Sequence, residues 1–101
     1  MESYQRAHLR GLAHELKPVV IVGASGVTPE LLKATEVALY DHELIKVRLQ
    51  RPTDKNGFAE ALATGTDSVL CGMVGHTVIL YRRNPDKPRV EVPRRRPRTD
   101  A

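Results

Sequence analysis

The stretch Pro18-Val19-Val20-Ile21-Val22-Gly23-Ala24-Ser25-Gly26-Val27-Thr28-Pro29-Glu30-Leu31-Leu32 decides the fold of this chain. Four consecutive β-branched residues without polar alternation predict a strand that is buried on both faces. Thr28 is a good N-cap, Pro29 suits the first helical position, and Glu30 places an acid in the first turn. The stretch therefore predicts a strand, a short glycine loop and a helix start in direct succession.

The loop itself has the pattern GxxG, Gly23-Ala24-Ser25-Gly26. Glycines lack the Cβ that would block a close approach, and free N–H groups near a helix start can bind phosphate oxygens. Gly23 is also a candidate for a positive φ. The same pattern describes an ordinary tight connection, and a second GxxG, residues 72–75, is expected in a strand and its turn.

Composition predicts one soluble, globular domain, since 41% of the 101 residues are hydrophobic and 28% are charged. One cysteine excludes an internal disulfide, suits a reducing compartment, and is interpreted as a buried side chain at Cys71. No apolar run approaches the roughly 18 residues of a membrane span. We therefore expect a cytoplasmic protein with no membrane partner.

The net charge of +4 is concentrated near the C-terminus. Residues 1–81 carry eight Lys/Arg and nine Asp/Glu, whereas residues 82–101 carry eight and three. The run Arg94-Arg95-Arg96-Pro97-Arg98 is too polar to fold alone. We expect a folded domain over residues 1–93 and a disordered basic tail over residues 94–101, which binds polyanions without sequence choice.

Hydrophobic periodicity predicts seven elements in the order α-β-α-β-α-β-β. They are helices over about 3–17, 28–40 and 54–63, strands over 18–22 and 44–49, and a hairpin of strands 68–74 and 77–82 with a type II′ turn at Gly75-His76. A right-handed crossover would make the first two strands parallel. The fold class is α/β, a small mixed four-stranded sheet packed with three helices, with Val90 and Val92 as candidates for a further short edge strand.

Basic side chains fall at regular spacing on several of these elements. The first helix carries an apolar stripe of Leu9, Leu12, Ala13 and Leu16, and Arg6, Arg10, His14 and Lys17 lie beside it. Lys33 follows the glycine loop, and Lys46 and Arg48 share the polar face of the second strand. The candidates for phosphate contact are Arg6, Arg10, Lys17, Lys33, Lys46 and Arg48 in the domain, with Arg94, Arg95 and Arg96 in the tail. For each of them a solvated surface is the alternative, and for Lys33 also an ion pair with Glu30 or Glu36.

Patterns for catalysis are missing from the sequence. The four histidines show no HExxH or paired-ligand spacing, and Val27-Thr28 stands where a Walker lysine would follow the glycine loop. No nucleophile elbow and no carboxylate pair is present. We expect no catalytic residue, no metal site and no cofactor, and hence no enzyme.

The segment from Leu9 to Thr28 strongly resembles the start of the CRM domain (chloroplast RNA splicing and ribosome maturation), and most closely its stand-alone bacterial, YhbY-like branch. The resemblance continues through His42-Glu43-Leu44-Ile45-Lys46-Val47 and Gly75-His76-Thr77-Val78-Ile79-Leu80-Tyr81-Arg82, and covers about residues 5–93. Many family members carry Lys or Arg inside the glycine loop, whereas this chain has Ala24-Ser25. The loop is therefore expected to offer its backbone but no charge.

The resemblance implies a fold similar to the C-terminal domain of translation initiation factor 3. It also implies RNA binding through the glycine loop and nearby basic residues, and association with precursors of the large ribosomal subunit. The favoured function is a monomeric, non-catalytic RNA-binding module in ribosome assembly. The alternative is a protein-interaction factor with a structural glycine loop and a tail that binds any polyanion.

Overall fold

Three α-helices and four β-strands follow one another in residues 1–94, the part of the chain that the computed structural model describes. They are α1 Ser3–Ala13, β1 Val20–Val22, α2 Pro29–His42, β2 Leu44–Leu49, α3 Lys55–Thr66, β3 Val69–Val74 and β4 Thr77–Tyr81. The prediction of an α/β domain with three helices and a four-stranded mixed sheet is confirmed.

The strands form one sheet in the order β1-β2-β4-β3. β1 and β2 are parallel, with Val20 beside Val47, and α2 supplies the crossover that a parallel pair requires. β4 is antiparallel to both β2 and β3. Gly75 has a φ of 59° and His76 does not have a positive φ, which fits the predicted type II′ turn.

The two faces of the sheet are covered unequally. Helices α2 and α3 cover one face and form the larger core with Val22, Val47 and Leu80. Helix α1 packs on the other face over a smaller cluster that includes Leu9 and Tyr81. This second face stays partly open, because α1 is short.

The prediction that the first strand is buried on both faces is wrong. Val20 and Val22 are buried, but Val19 and Ile21 are 51% and 53% exposed. β1 lies at an edge of the sheet, and only its α2 side faces the larger core. A run of β-branched residues does not distinguish an edge strand from a central one, since the neighbours decide burial.

The sequence predicts a helix that ends at Lys17, but α1 ends at Ala13. The Lys46 ammonium donates hydrogen bonds to the carbonyl oxygens of His14 and Leu16, at 3.3 and 3.0 Å. The chain leaves the helix where the Leu16 N–H donates to the Ala13 carbonyl, three residues back, at 3.0 Å. Leu12 and Leu16, expected in a buried stripe, are 44% and 40% exposed.

The segment after β4 is held by the buried Glu43 side chain. The backbone N–H groups of Asn84, Arg89 and Val90 donate to its carboxylate. Because two of these N–H groups are bound by a side chain, residues 89 and 90 do not pair with a strand. The further edge strand predicted at Val90 and Val92 is therefore wrong, and both valines pack on the smaller cluster instead.

The segment then runs along the start of α1. The Gln5 side chain donates to the Pro93 carbonyl and the Tyr4 hydroxyl to the Arg94 carbonyl, each at 3.0 Å. The rest of the predicted tail, with Arg95, Arg96 and Arg98, lies outside the described residues. Within residues 1–94, each helix is too short or too polar to cross a membrane.

Candidate nucleic-acid interface

The glycine loop is a closed turn at the carboxyl end of β1. The Gly26 N–H donates to the Gly23 carbonyl at 3.0 Å, and Ala24 and Ser25 lie exposed at the tip. Gly26 has a φ of 71°, so the positive φ considered for Gly23 belongs to Gly26. A Cβ at Gly23 would meet no atom within 4 Å. The approach to the loop is therefore open on the Gly23 side.

At the start of α2, three backbone positions have no N–H group available for a ligand. The Thr28 hydroxyl accepts from the Leu31 N–H at 3.1 Å, the Leu32 N–H donates to the Thr28 carbonyl at 3.0 Å, and Pro29 has no N–H. These contacts leave fewer backbone donors at the helix start than a cluster of free N–H groups would supply, and phosphate binding there stays a prediction. The exposed tip of the turn is the most open part of the loop.

A depression of about 260 Å³ lies on the open part of the second sheet face, beside the end of α1. Four basic side chains line it: Arg10 and His14 from the α1 side, Lys46 and Arg48 from β2. Lys46 and Arg48 are two residues apart on one strand, and so point to the same face. The depression thus concentrates positive charge on a body, residues 1–81, whose Lys/Arg and Asp/Glu nearly balance, at eight and nine.

Arg10 is fixed in this depression by the edge strand β3. Its guanidinium donates to the Cys71 carbonyl at 2.8 Å. The side chain lies directly on Gly72, where a Cβ would stand 2.5 Å from the Arg10 Cδ. Gly72 follows a register shift between β3 and β4, a bulge that commonly redirects neighbouring side chains.

A second depression, of about 630 Å³, joins the first to the glycine loop. Arg48 lines both, and Ala24, Arg51 and His76 line the second. Backbone hydrogen bonds bring these segments together: the Gln50 N–H donates to the Val22 carbonyl at 2.9 Å, and the Leu49 N–H to the His76 carbonyl at 2.8 Å. We call the two depressions together the basic groove.

The structure divides the predicted site residues into two groups. Arg10, Lys46 and Arg48 lie together in the basic groove, and the loop residue Ala24 lies at its far end. The others lie elsewhere. Arg6 donates a hydrogen bond to the Met1 carbonyl near the start of α1, and Lys17 lies before the start of β1, at the opposite end of that strand from the glycine loop. Lys33 is exposed on α2, on the other side of the sheet, and Arg94 is exposed beside Tyr4. Arg95 and Arg96 fall outside the described residues.

Two groove residues were missed in the sequence analysis, Arg51 and His76. A signal for Arg51 was present, because the carboxyl ends of parallel strands meet at the same edge of a sheet. Arg51 follows β2 as the glycine loop follows β1. No local signal marked His76, since its position depends on the pairing of β4 with β2.

Cys71 is buried, as predicted. Burial raises the pKa of its thiol to about 11, and the nearby charges of Arg10 and Arg6 lower it by less. The thiol is therefore protonated at neutral pH and is a poor nucleophile. In the described part of the chain, no three His, Cys, Asp or Glu side chains come together as a metal site.

The family model of the CRS1/YhbY (CRM) domain matches residues 1–82 of this chain. The chain belongs to the CRM domain family. "Probable RNA-binding protein YqeI" of Bacillus subtilis is 38% identical over 91 residues, which cover 88% of this chain and 95% of that protein. An RNA-binding protein of Haemophilus influenzae is 36% identical over 98 residues, covering 94% and 97%.

The CRM fold is also seen in a solved structure, that of the hypothetical protein SAV1595 from Staphylococcus aureus. The two structures superpose with a TM-score of 0.80 at 30% identity, over 92% of this chain and 99% of the other. This chain therefore covers 95%, 97% and 99% of the length of these three proteins.

Proposed function

We propose that this CRM protein is a non-catalytic RNA-binding factor in ribosome assembly that associates with precursors of the large ribosomal subunit. RNA binding is supported by the names of its relatives, which are RNA-binding proteins. Large-subunit association is what the family resemblance implies. Such a role would place the protein in the cytoplasm.

The basic groove is the observation that carries this proposal. Arg10, Lys46 and Arg48 line one of its two depressions, and Arg48, Arg51 and the loop residue Ala24 line the other. A row of cations in a groove attracts a phosphate backbone and fixes its position, while sequence is read by other contacts. Among the described residues that line it there is no Phe, Tyr or Trp, and its only aromatic rings are the imidazoles of His14 and His76, so contact with phosphates is favoured over base stacking.

Within the groove, loop and cations have different tasks. Ala24 and Ser25 carry no charge and little bulk, so a strand of RNA can lie against the loop backbone. Arg48 and Arg51 supply the charge that this loop lacks. Lys46 also donates to the carbonyls of His14 and Leu16, and so its substitution would remove two hydrogen bonds as well as a charge of the groove.

The assembly role is tested by sedimentation of cell extract combined with ultraviolet crosslinking to RNA. We expect the protein in fractions that carry large-subunit precursors, crosslinked to their ribosomal RNA, and we expect Arg48→Gln/Arg51→Gln to leave these fractions. A protein found only in the fractions that contain no ribosomal particle would overturn the assembly role.

The Arg-rich end is proposed to add affinity without discrimination between RNAs. A chain that ends after Arg94 keeps the bond to Tyr4 and loses Arg95, Arg96 and Arg98. We expect its affinity to fall by a similar factor for different RNAs, measured by filter binding. A changed preference among RNAs with unchanged strength would reverse this assignment.

A further inference from the structure

A second groove lies on the opposite side of α1 from the basic groove. It has a volume of about 730 Å³, within the range of sites that bind ligands. Leu12, Leu16, Val19, Leu44 and Val90 form its floor and walls, and we call it the apolar groove. Leu12 and Arg10 are two positions apart on α1, about 200° around the helix, so the two grooves face different directions.

The apolar groove exposes side chains that a folded monomer has reason to bury. Leu12, Leu16 and Val19 are 44%, 40% and 51% exposed. They come from three places in the chain, the end of α1, the following turn and the start of β1, and converge on one surface. Contiguous exposed apolar surface of this kind is typical of an interaction site, whereas single exposed leucines need no explanation.

The rim of this groove is mainly basic. Lys17 and Arg89 contribute two positive charges, and His8 and His42 are positive when protonated. Glu91 is the acidic residue among the described residues that line the groove. An occupant that combines apolar anchors with acidic flanks would therefore be complementary in both respects.

Other occupants fit less well. A second copy of the chain would place the same basic rim against itself, which costs free energy. Residues 95–101, Arg-Arg-Pro-Arg-Thr-Asp-Ala, are basic and have no large apolar side chain. RNA would find aliphatic walls and, among the described lining residues, no Phe, Tyr or Trp for stacking.

We propose that the apolar groove binds a protein partner through an acidic amphipathic helix, with large apolar side chains at i, i+3 or i+4 in the groove and Asp or Glu toward Lys17 and Arg89. Laying one apolar helix face into a groove is a common mode of peptide recognition. This site is independent of RNA binding. The partner and an RNA can occupy the protein at the same time, since α1 separates the two grooves.

The test uses the full chain and two short synthetic helical peptides. One carries Leu at helical spacing on one face and Glu on the other, and the second has Lys in place of each Glu. Binding is followed by chemical-shift changes in NMR spectra. We expect the Glu peptide to bind, with shifts at Leu12, Leu16 and Val19, and the Lys peptide to bind at least tenfold more weakly.

Variants at exposed positions locate the site. Leu16→Gln removes an apolar wall and Lys17→Glu reverses one rim charge, and each should weaken the Glu peptide about tenfold. Val37→Gln is the matched control, because Val37 is also exposed, at 56%, but lies on α2. Arg48→Gln should leave peptide binding unchanged.

Three results would overturn the proposal. The Lys peptide could bind as well as the Glu peptide, or Leu16→Gln could have no larger effect than Val37→Gln. Third, Leu16→Gln could abolish a concentration-dependent dimer, which would assign the groove to a second copy of the chain. It could also lower RNA affinity as much as Arg48→Gln does, which would assign the groove to RNA.

Discussion

Glu43 is a charged residue whose role is structural. Its side chain is fully buried, and its carboxylate accepts three backbone N–H groups from residues 84–90. Burial acts to raise the pKa of this carboxyl, but the hydrogen bonds from Asn84, Arg89 and Val90 and the charge of Arg83 outweigh it and lower the pKa below its usual 4.5. Glu43 thus stays ionised and ties the last segment to the start of β2.

Replacing Glu43 tests this role. In Glu43→Gln an amide NH₂ replaces one acceptor oxygen and faces backbone donors, which should lower the free energy of unfolding by about 2–4 kcal/mol. Urea denaturation measures the loss, and Glu36→Gln, exposed on α2, is the control. A loss equal to that of the control would show that the carboxylate does not hold the segment.

The pH dependence has a defined sign. Because the pKa of Glu43 is lower in the folded state, its stabilising contribution is fully present above about pH 4.5 and is lost as the pH falls through the folded value. Wild type should therefore lose stability below pH 4.5 more steeply than Glu43→Gln. Parallel curves of unfolding free energy against pH would contradict this.

At Gly23 the structure permits a clean test of the loop. Its φ is not positive and a Cβ would touch nothing, so Gly23→Asp should fold normally. A carboxylate about 4 Å from a phosphate costs about 1 kcal/mol in water, which is roughly a fivefold loss of RNA affinity. Ala34→Asp adds the same charge on the exposed side of α2 and should have a smaller effect. Equal losses would exclude the loop as a contact.

At the scale of elements, the bulge in β3 positions a cation of α1. Gly72→Ala would place a methyl group 2.5 Å from the Arg10 Cδ, so the arginine must leave its place on the strand. We expect little change in stability, because the displaced atoms belong to a flexible side chain. The slope of log RNA affinity against log salt should become shallower by about 0.7, the contribution of one phosphate contact.

A double-mutant cycle checks that this effect passes through Arg10. The combination Gly72→Ala/Arg10→Gln should bind RNA no more weakly than Arg10→Gln alone. Additive losses would show that Gly72 acts on RNA binding by another route.

The sequence alone predicts some of these elements and their ends, but not others. The parallel pair and the hairpin were predictable, since capping at Thr28 and the Gly75-His76 turn are local signals. The end of α1 at Ala13 was not, because the nearest signal in the sequence that ends a helix is Pro18. The exposure of Val19 depends on which strand occupies the sheet edge. The strand order also decides that Arg48 and Arg51 lie near the glycine loop.

At the scale of the whole molecule, two pairs of basic residues with equal formal charge lie in different places. Arg48 and Arg51 lie in the basic groove, whereas Lys17 and Lys33 lie at the other end of β1 and on α2. A protein that attracted RNA by overall charge would use both pairs alike. A protein that binds RNA in the groove would use only the first.

The most direct measurement is the salt dependence of RNA affinity for two double variants of the full chain. If the basic groove contacts phosphates, Arg48→Gln/Arg51→Gln should reduce the slope of log affinity against log salt by about 1.4, at about 0.7 per contact on single-stranded RNA. Lys17→Gln/Lys33→Gln removes the same charge and should leave the slope close to that of wild type. Equal reductions in both variants, or a reduction in the lysine pair alone, would contradict a groove-based RNA site.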